Sequence, residues 1–249
     1  MSAVKRYLSG VRLFGRALLL YLRTPRLLAL GLIPTVLSAA LFLVGLVALV
    51  GVLPDLADAA TWFADDWSPT AKTIATVLAA VGILVVALVI GVFAFTAVTL
   101  AIGDPFYERI SDWVEQAHGG VEGEAEVGFW RGLGRSLADS ARLFAVTTAI
   151  GVPLFFAGLV PVVGQTVVPV VGATIGGWFL ALELVGTPFS RRGLRLADRR
   201  RRLRADRARA LGFGTAVFVC FLVPAGAVLL MPAAVIGGTL LARETLHTE

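Results

Sequence analysis

The chain is short of charge, of cysteine and of histidine. Of its 249 residues, 16% are Asp, Glu, Lys or Arg, where a soluble domain carries about a quarter. The one cysteine, Cys220, sits in an apolar run, so an intramolecular disulfide is excluded and no thiolate cluster can hold a metal. The two histidines, His118 and His247, are too few for a metal centre or a histidine-dependent triad. No glycine loop followed by lysine offers a cradle for nucleotide phosphates. The residues therefore point away from an enzyme, from ATP-driven work and from any bound cofactor or metal.

What fills the chain instead is apolar. Hydrophobic residues make up 57% of it, and the mean hydropathy is +0.85. Runs long enough to cross a bilayer recur, which places the chain among polytopic α-helical membrane proteins. The net charge of +5 comes mostly from arginines that border these runs. That placement suits anionic lipid head groups and membrane topology, not nucleic acid.

Residues 4–24 predict an amphipathic interfacial helix. Lys5, Arg12, Arg16 and Arg23 share one face, and Val11, Phe14, Leu18, Tyr21 and Leu22 the opposite one. Thr24-Pro25 then marks a helix start. Residues 27–53 and 72–102 predict two long spans. The loop between them holds Asp55, Asp58, Asp65 and Asp66, with Trp62 and Trp67 placed as interfacial anchors. Gly103-Asp104-Pro105 predicts the end of the second span and a new start capped by Asp104, so that 104–142 forms cytoplasmic helices. Phe106, Ile110, Trp113, Val114 and Ala117 share one face there, and Glu108, Arg109, Asp112 and Glu115 project elsewhere.

Residues 143–189 predict a hairpin broken at Pro161-Val-Val-Gly164-Gln165-Thr166. It is long enough for two spans of about 20 residues, and its proline and glycine content equally allows two shorter arms that turn back. The 191–210 segment carries ten arginines against two aspartates, which assigns it to the cytoplasmic side. Residues 211–242 are too long for one ordinary span and too short for two. Pro224-Ala225-Gly226 lies near their middle, so a re-entrant hairpin fits. Both termini then face the cytoplasm of a cell bounded by this plasma membrane. The expected fold is all-α, a single domain over 1–249. It has two long transmembrane helices, two re-entrant or half-penetrating helical hairpins, and amphipathic interfacial helices.

Several landmarks recur together: Thr24-Pro25 with Pro34 nine residues on; Asp104-Pro105-Phe106 leading to Glu115; and Pro161-Val-Val-Gly164-Gln165-Thr166-Val-Val-Pro169. Trp178 with Ala181 and Leu182, Thr187-Pro188-Phe189 and Met231-Pro232-Ala-Ala-Val-Ile-Gly-Gly-Thr complete the set. In order and spacing the chain resembles the CysZ family of bacterial sulfate-transport proteins, with its etoposide-induced-protein-like membrane domain. The resemblance implies sulfate uptake for cysteine synthesis, and an oligomer. It departs at Leu28 and Ala29, which stand near the places of the family's paired arginines.

An oxyanion such as sulfate needs converging N–H donors and positive charge. Helix starts and arginines supply both. Arg23, Thr24 and Arg26 at the Thr24-Pro25 start are one candidate site. Gly164, Gln165 and Thr166 at the centre of the hairpin are the other. Glu183 is the one ionisable residue of that hairpin and is a candidate either for proton coupling or for an ion pair with Arg191 and Arg192. The arginines of Arg191–Arg209 are expected among anionic head groups. The contrasting possibility is a non-transporting membrane-organising protein that binds lipid or a partner.

Overall fold

The computed structural model describes residues 2–121, 129–223 and 225–246 of the chain. These residues form helices and turns, with no strand among them. Five of the helical stretches are long and apolar enough to cross a membrane: Pro25–Ala60, Pro69–Ala117, Ala141–Gly158, Gly164–Arg191 and Gly226–Leu246. The chain is an all-α polytopic membrane protein.

The described residues divide into two compact units, Leu32–Asp104 and the joined segments Met1–Gly31 and Pro105–Glu249. In the first unit lie most of α2 (Pro25–Ala60) and of α3 (Pro69–Ala117). The connection between them includes a single helical turn at Trp62–Ala64. Thr61 ends α2 by donating its hydroxyl to Ala57 O at 2.8 Å, and it meets Thr76 Oγ1 at 3.2 Å. Phe63 packs edge-on against both Trp62 and Trp67. All three rings remain exposed, as suits an aromatic belt. Along the arms, Phe42 meets Phe95 edge-on at 5.3 Å.

Both long helices exceed the expected spans. The 36 residues of α2 extend about 54 Å. The 49 residues of α3 extend about 74 Å, against a hydrocarbon core of about 30 Å. The stop expected at Gly103-Asp104-Pro105 is absent, and α3 runs through it with Pro105 inside. A proline there removes one backbone bond and crowds the preceding turn. The turns that follow are held by burial of Tyr107, Ile110 and Val114, which outweighs the local preference. The two-unit division nonetheless falls between Asp104 and Pro105. The acidic 122–128 segment lies outside the described residues.

The second unit holds α1 (Ala3–Arg23), α4 (Phe129–Gly158), α5 (Val163–Leu184), α6 (Gly186–Arg191), α7 (Leu196–Ala205), α8 (Arg207–Phe221) and α9 (Gly226–Leu246). Helix α1 buries Gly10, Leu13, Phe14, Ala17 and Tyr21. That stripe is rotated from the expected one, and Val11 and Leu22 are exposed. The reason is a tertiary partner. A Cβ on Gly10 would lie 2.1 Å from Arg209 O, and one on Gly212 would lie 2.0 Å from Tyr7 O. Two glycines thus let the α1 and α8 backbones touch, as small residues do where membrane helices cross. Phe14 and Phe213 close the contact edge-on at 6.3 Å.

Helix α4 is continuous from Phe129 to Gly158, and the part of it apolar enough to cross a membrane begins at Ala141. The first hairpin turns at Leu159–Val162, and Gly164 falls in the first turn of α5. Val162 takes φ +70°, a region that β-branched residues rarely adopt. The second hairpin turns between α8 and α9, with Ala225 at φ +60°. That is the place expected from the sequence, although Pro224 itself lies outside the described residues. Helix α8, at 15 residues, extends about 23 Å. The arginine-rich segment is not one solvated run. It comprises the end of α6, all of α7 and the start of α8.

Candidate functional site

The most concentrated chemistry in the second unit surrounds Glu115, in the last turn of α3. Its side chain is wholly buried. Arg192, just past α6, grips both carboxylate oxygens, with Nη1 to Oε1 at 2.7 Å and Nη2 to Oε2 at 3.0 Å. Arg243, in the last turn of α9, adds Nη1 to Oε2 at 2.5 Å. Two guanidinium groups thus enclose one carboxylate, and the cluster carries a net charge of +1. Neither arginine depends on Glu115 alone. Arg192 Nη1 donates to Pro188 O at 2.9 Å. Arg243 donates to Gly120 O at 2.8 Å and to His118 O.

The sequence builds this corner locally. Gly119 and Gly120 adopt φ +101° and +79°, and Gly120 N donates back to Glu115 O at 2.8 Å. This left-handed stop presents the carbonyls of His118 and Gly120, just past the negative end of the α3 dipole, to Arg243. One turn earlier, Arg191 Nη1 pairs with Asp112 Oδ1 at 3.1 Å and Arg191 Nη2 donates to Glu108 O at 3.0 Å. Ser111 and Thr239, both fully buried, join α3 to α9 through hydroxyls 2.9 Å apart. Beneath α6, Arg199 Nη2 donates to Ser190 Oγ at 2.8 Å.

The sequence had singled out other residues. Arg23 and Arg26 are exposed on either side of the α1–α2 junction. Thr24 caps α1, and its carbonyl accepts from Leu27 N and Leu28 N, each at 3.0 Å. Gly164 abuts Gly158, since a Cβ on it would lie 2.0 Å from Gly158 O. Thr166 donates its hydroxyl to Val162 O at 2.6 Å, which satisfies it within its own turn. Gln165 is exposed. No hydrogen bond or ion pair joins the two groups among the described residues. Glu183 is exposed on α5, and its expected partners are engaged elsewhere: Arg191 with Asp112 and Arg192 with Glu115.

Sequence reasoning missed the Glu115 cluster. It directed Glu115 outward and gave Arg243 no role. An arginine that follows an apolar run resembles any topology-setting charge. The carboxylate that claims it stands 128 residues earlier. The one signal within reach was the sum of oddities near Glu115: a carboxylate just before a double-glycine stop, among large apolar residues.

A buried carboxylate held by two arginines is itself a bound oxyanion. The bidentate contact of Arg192 shows which geometry the corner favours. A family model described as "Sulfate transporter CysZ/Etoposide-induced protein 2.4" matches residues 13–232. The chain belongs to that family. Its curated relatives include proteins named "Sulfate transporter CysZ". It is 28% identical over 160 residues to "Sulfate transporter CysZ" of Vibrio atlanticus, covering 63% of this chain and 64% of that one. It is 29% identical over 151 residues to the protein of the same name from Pseudomonas fluorescens, covering 59% and 60%. It is 30% identical over 158 residues to that from Vibrio cholerae, covering 61% and 62%. The matched region thus spans less than two thirds of the length of these CysZ relatives. The match of the CysZ family model runs from α1 into α9 and takes in Glu115 and Arg192, whereas Arg243 lies beyond its end.

Proposed function

We propose that this chain is a membrane permease for sulfate or a related oxyanion, feeding sulfur assimilation by passive or ion-coupled flux. The observation that carries this is the family membership, with relatives that bear the name of sulfate transporters. The chemistry is compatible. Arg23 and Arg26 flank a helix start and have no carboxylate partner among the described residues, so neither guanidinium is already occupied by a carboxylate of the chain. Thr24 completes that candidate site. Gly164, Gln165 and Thr166 form a second candidate at the hairpin turn, with Glu183 as a candidate coupling group. Arg192 and Arg243 fix the corner in which three helix ends meet, and Glu115 holds there the place that a free oxyanion would need.

The proposed setting is the cytoplasmic membrane, with both termini and Arg191–Arg209 on the cytoplasmic side among anionic head groups, and with copies assembled as a homo-oligomer. The 143–189 and 211–242 hairpins are proposed to enter part way. The 23 Å length of α8 supports this for the second of them.

The test is radiolabelled sulfate uptake into proteoliposomes, beside sulfite and phosphate. Uptake should exceed that of protein-free vesicles, and a deletion strain should grow poorly on limiting sulfate. Absent flux together with normal growth would overturn the proposal and favour a membrane-organising protein.

A further inference from the structure

Between α4, α5 and the α7–α8 junction lies an open crevice of about 490 Å³. Its walls include Ile150, Ile175, Trp178 and Leu211, and Arg204 and Arg207 stand at it as well. The apolar walls belong largely to stretches long and greasy enough to cross a membrane, Ala141–Gly158 and Gly164–Arg191. The two arginines belong to the basic segment.

The arginines of that segment are not equivalent, and Arg201, though exposed, pairs with Asp198 at 3.0 Å. Those turned toward the protein are engaged: Arg191 by Asp112, Arg192 by Glu115, Arg199 by Ser190 and Arg209 by Glu244. Arg204 and Arg207 are exposed and have no carboxylate partner among the described residues. Asp206, between them in sequence, is turned elsewhere. It accepts from Arg209 N at 3.4 Å and lies 3.9 Å from Arg6. The indole N–H of Trp178 donates to no group among the described residues, as befits a ring at a membrane interface. Thr174, the remaining polar wall residue, already donates to Val170 O at 2.8 Å.

We infer that this crevice is a binding site for one anionic phospholipid. Its phosphate meets Arg204 and Arg207, and an acyl chain lies along Ile150, Ile175, Trp178 and Leu211. A free oxyanion would gain the two guanidinium groups but nothing from the apolar walls. A neutral lipid would gain the walls and leave both charges unmatched. An anionic amphiphile satisfies both, in the manner of basic pockets between membrane helices. The inference rests on the head-group contact proposed for Arg191–Arg209 and narrows it to two side chains and one groove. It does not depend on transport.

The test uses the full chain purified in non-ionic detergent and titrated by native mass spectrometry with phosphatidylglycerol or phosphatidylcholine of matched chains. The wild type should bind phosphatidylglycerol at least tenfold more tightly. Arg204→Gln with Arg207→Gln should weaken that binding about thirty-fold, about 2 kcal/mol at 1.4 kcal/mol per decade. Arg195→Gln with Arg201→Gln, which alters exposed arginines away from the crevice, should change it less than about twofold. Ile175→Asp, which sets a like charge against the phosphate, should weaken it comparably to the crevice arginine pair. Excess glycerol phosphate should not displace the lipid. Equal losses in both arginine pairs would overturn the groove and leave a diffuse head-group contact standing. No loss in either pair would overturn both. Displacement by glycerol phosphate would make the groove a free-anion site and overturn the lipid assignment.

Discussion

Glu115 and Arg192 stand 77 residues apart and meet through two parallel hydrogen bonds of 2.7 and 3.0 Å, with Glu115 fully buried. Removing one member of such a buried pair leaves an uncompensated charge, at a cost of about 3–5 kcal/mol. Glu115→Gln should therefore lower the melting temperature in detergent by more than any exposed substitution, because it strands two arginines at once. Arg192→Met and Arg243→Met should each be costly. Each single variant leaves Glu115 one arginine, so their double variant, which strands the buried carboxylate, should cost more than the sum. Additive losses would show that the two arginines do not share Glu115.

The contact between Tyr7 and Gly212 leads to a second expectation. A Cβ at Gly212 would lie 2.0 Å from Tyr7 O, and the nearest atoms are backbone that cannot swing aside. Gly212→Ala should therefore push α1 from α8, although alanine favours the helix itself. Limited proteolysis should cut near α1 faster in the variant. Gly15→Ala, with nothing within 4 Å of its Cβ, should leave the pattern unchanged or slow it. Equal proteolysis of wild type and Gly212→Ala would refute the crossing.

Much of the architecture was legible because it is local. That residues 4–24 form an amphipathic helix, that a turn with Trp62 and Trp67 joins two long helices and that a turn precedes Gly226 each depend on a few neighbouring residues. Asp55 and Asp58, expected in the loop, instead lie inside α2. The corner around Glu115 was not legible, because its charges come from three helix ends separated by 77 and 128 residues. The expected stop at Pro105 failed for a related reason. Asp104-Pro105 is a good local start signal, but burial of Ile110 and Val114 settles the matter from afar. The inward face of α1 was misassigned by a modest rotation, since a sequence shows that a stripe exists and not which neighbour covers it.

Thr239 and Ser111 test whether the α3–α9 contact depends on its one buried hydroxyl pair. Thr239→Val keeps the shape and removes the donor, which leaves Ser111 buried without a partner from α9. The expected cost is about 1–3 kcal/mol. Adding Ser111→Ala should recover part of it. Thermal melts of the four proteins in one detergent give the coupling. A double variant no more stable than Thr239→Val would mean that the hydroxyls do not depend on each other.

Arg26 and Glu183 separate solute handling from structure. Arg23 and Arg26 are exposed and lack carboxylate partners among the described residues, and Glu183 is exposed with no ion pair among them. Exposed substitutions of this kind usually move stability by no more than about 0.5 kcal/mol. Arg23→Gln, Arg26→Gln and Glu183→Gln should therefore melt close to wild type, and any change in flux can be assigned to transport. If Arg23 and Arg26 meet the anion, their double variant should raise the sulfate concentration for half-maximal uptake. Each lost charge-assisted contact is worth about 1.5–3 kcal/mol, a factor of about ten or more. If Glu183 couples protons, Glu183→Gln should flatten the pH dependence of uptake and leave that concentration nearly unchanged. A Glu183→Gln protein with an unaltered pH profile would remove Glu183 from the pathway. An unaltered uptake curve in Arg23→Gln with Arg26→Gln would move the search for the anion site to Gln165.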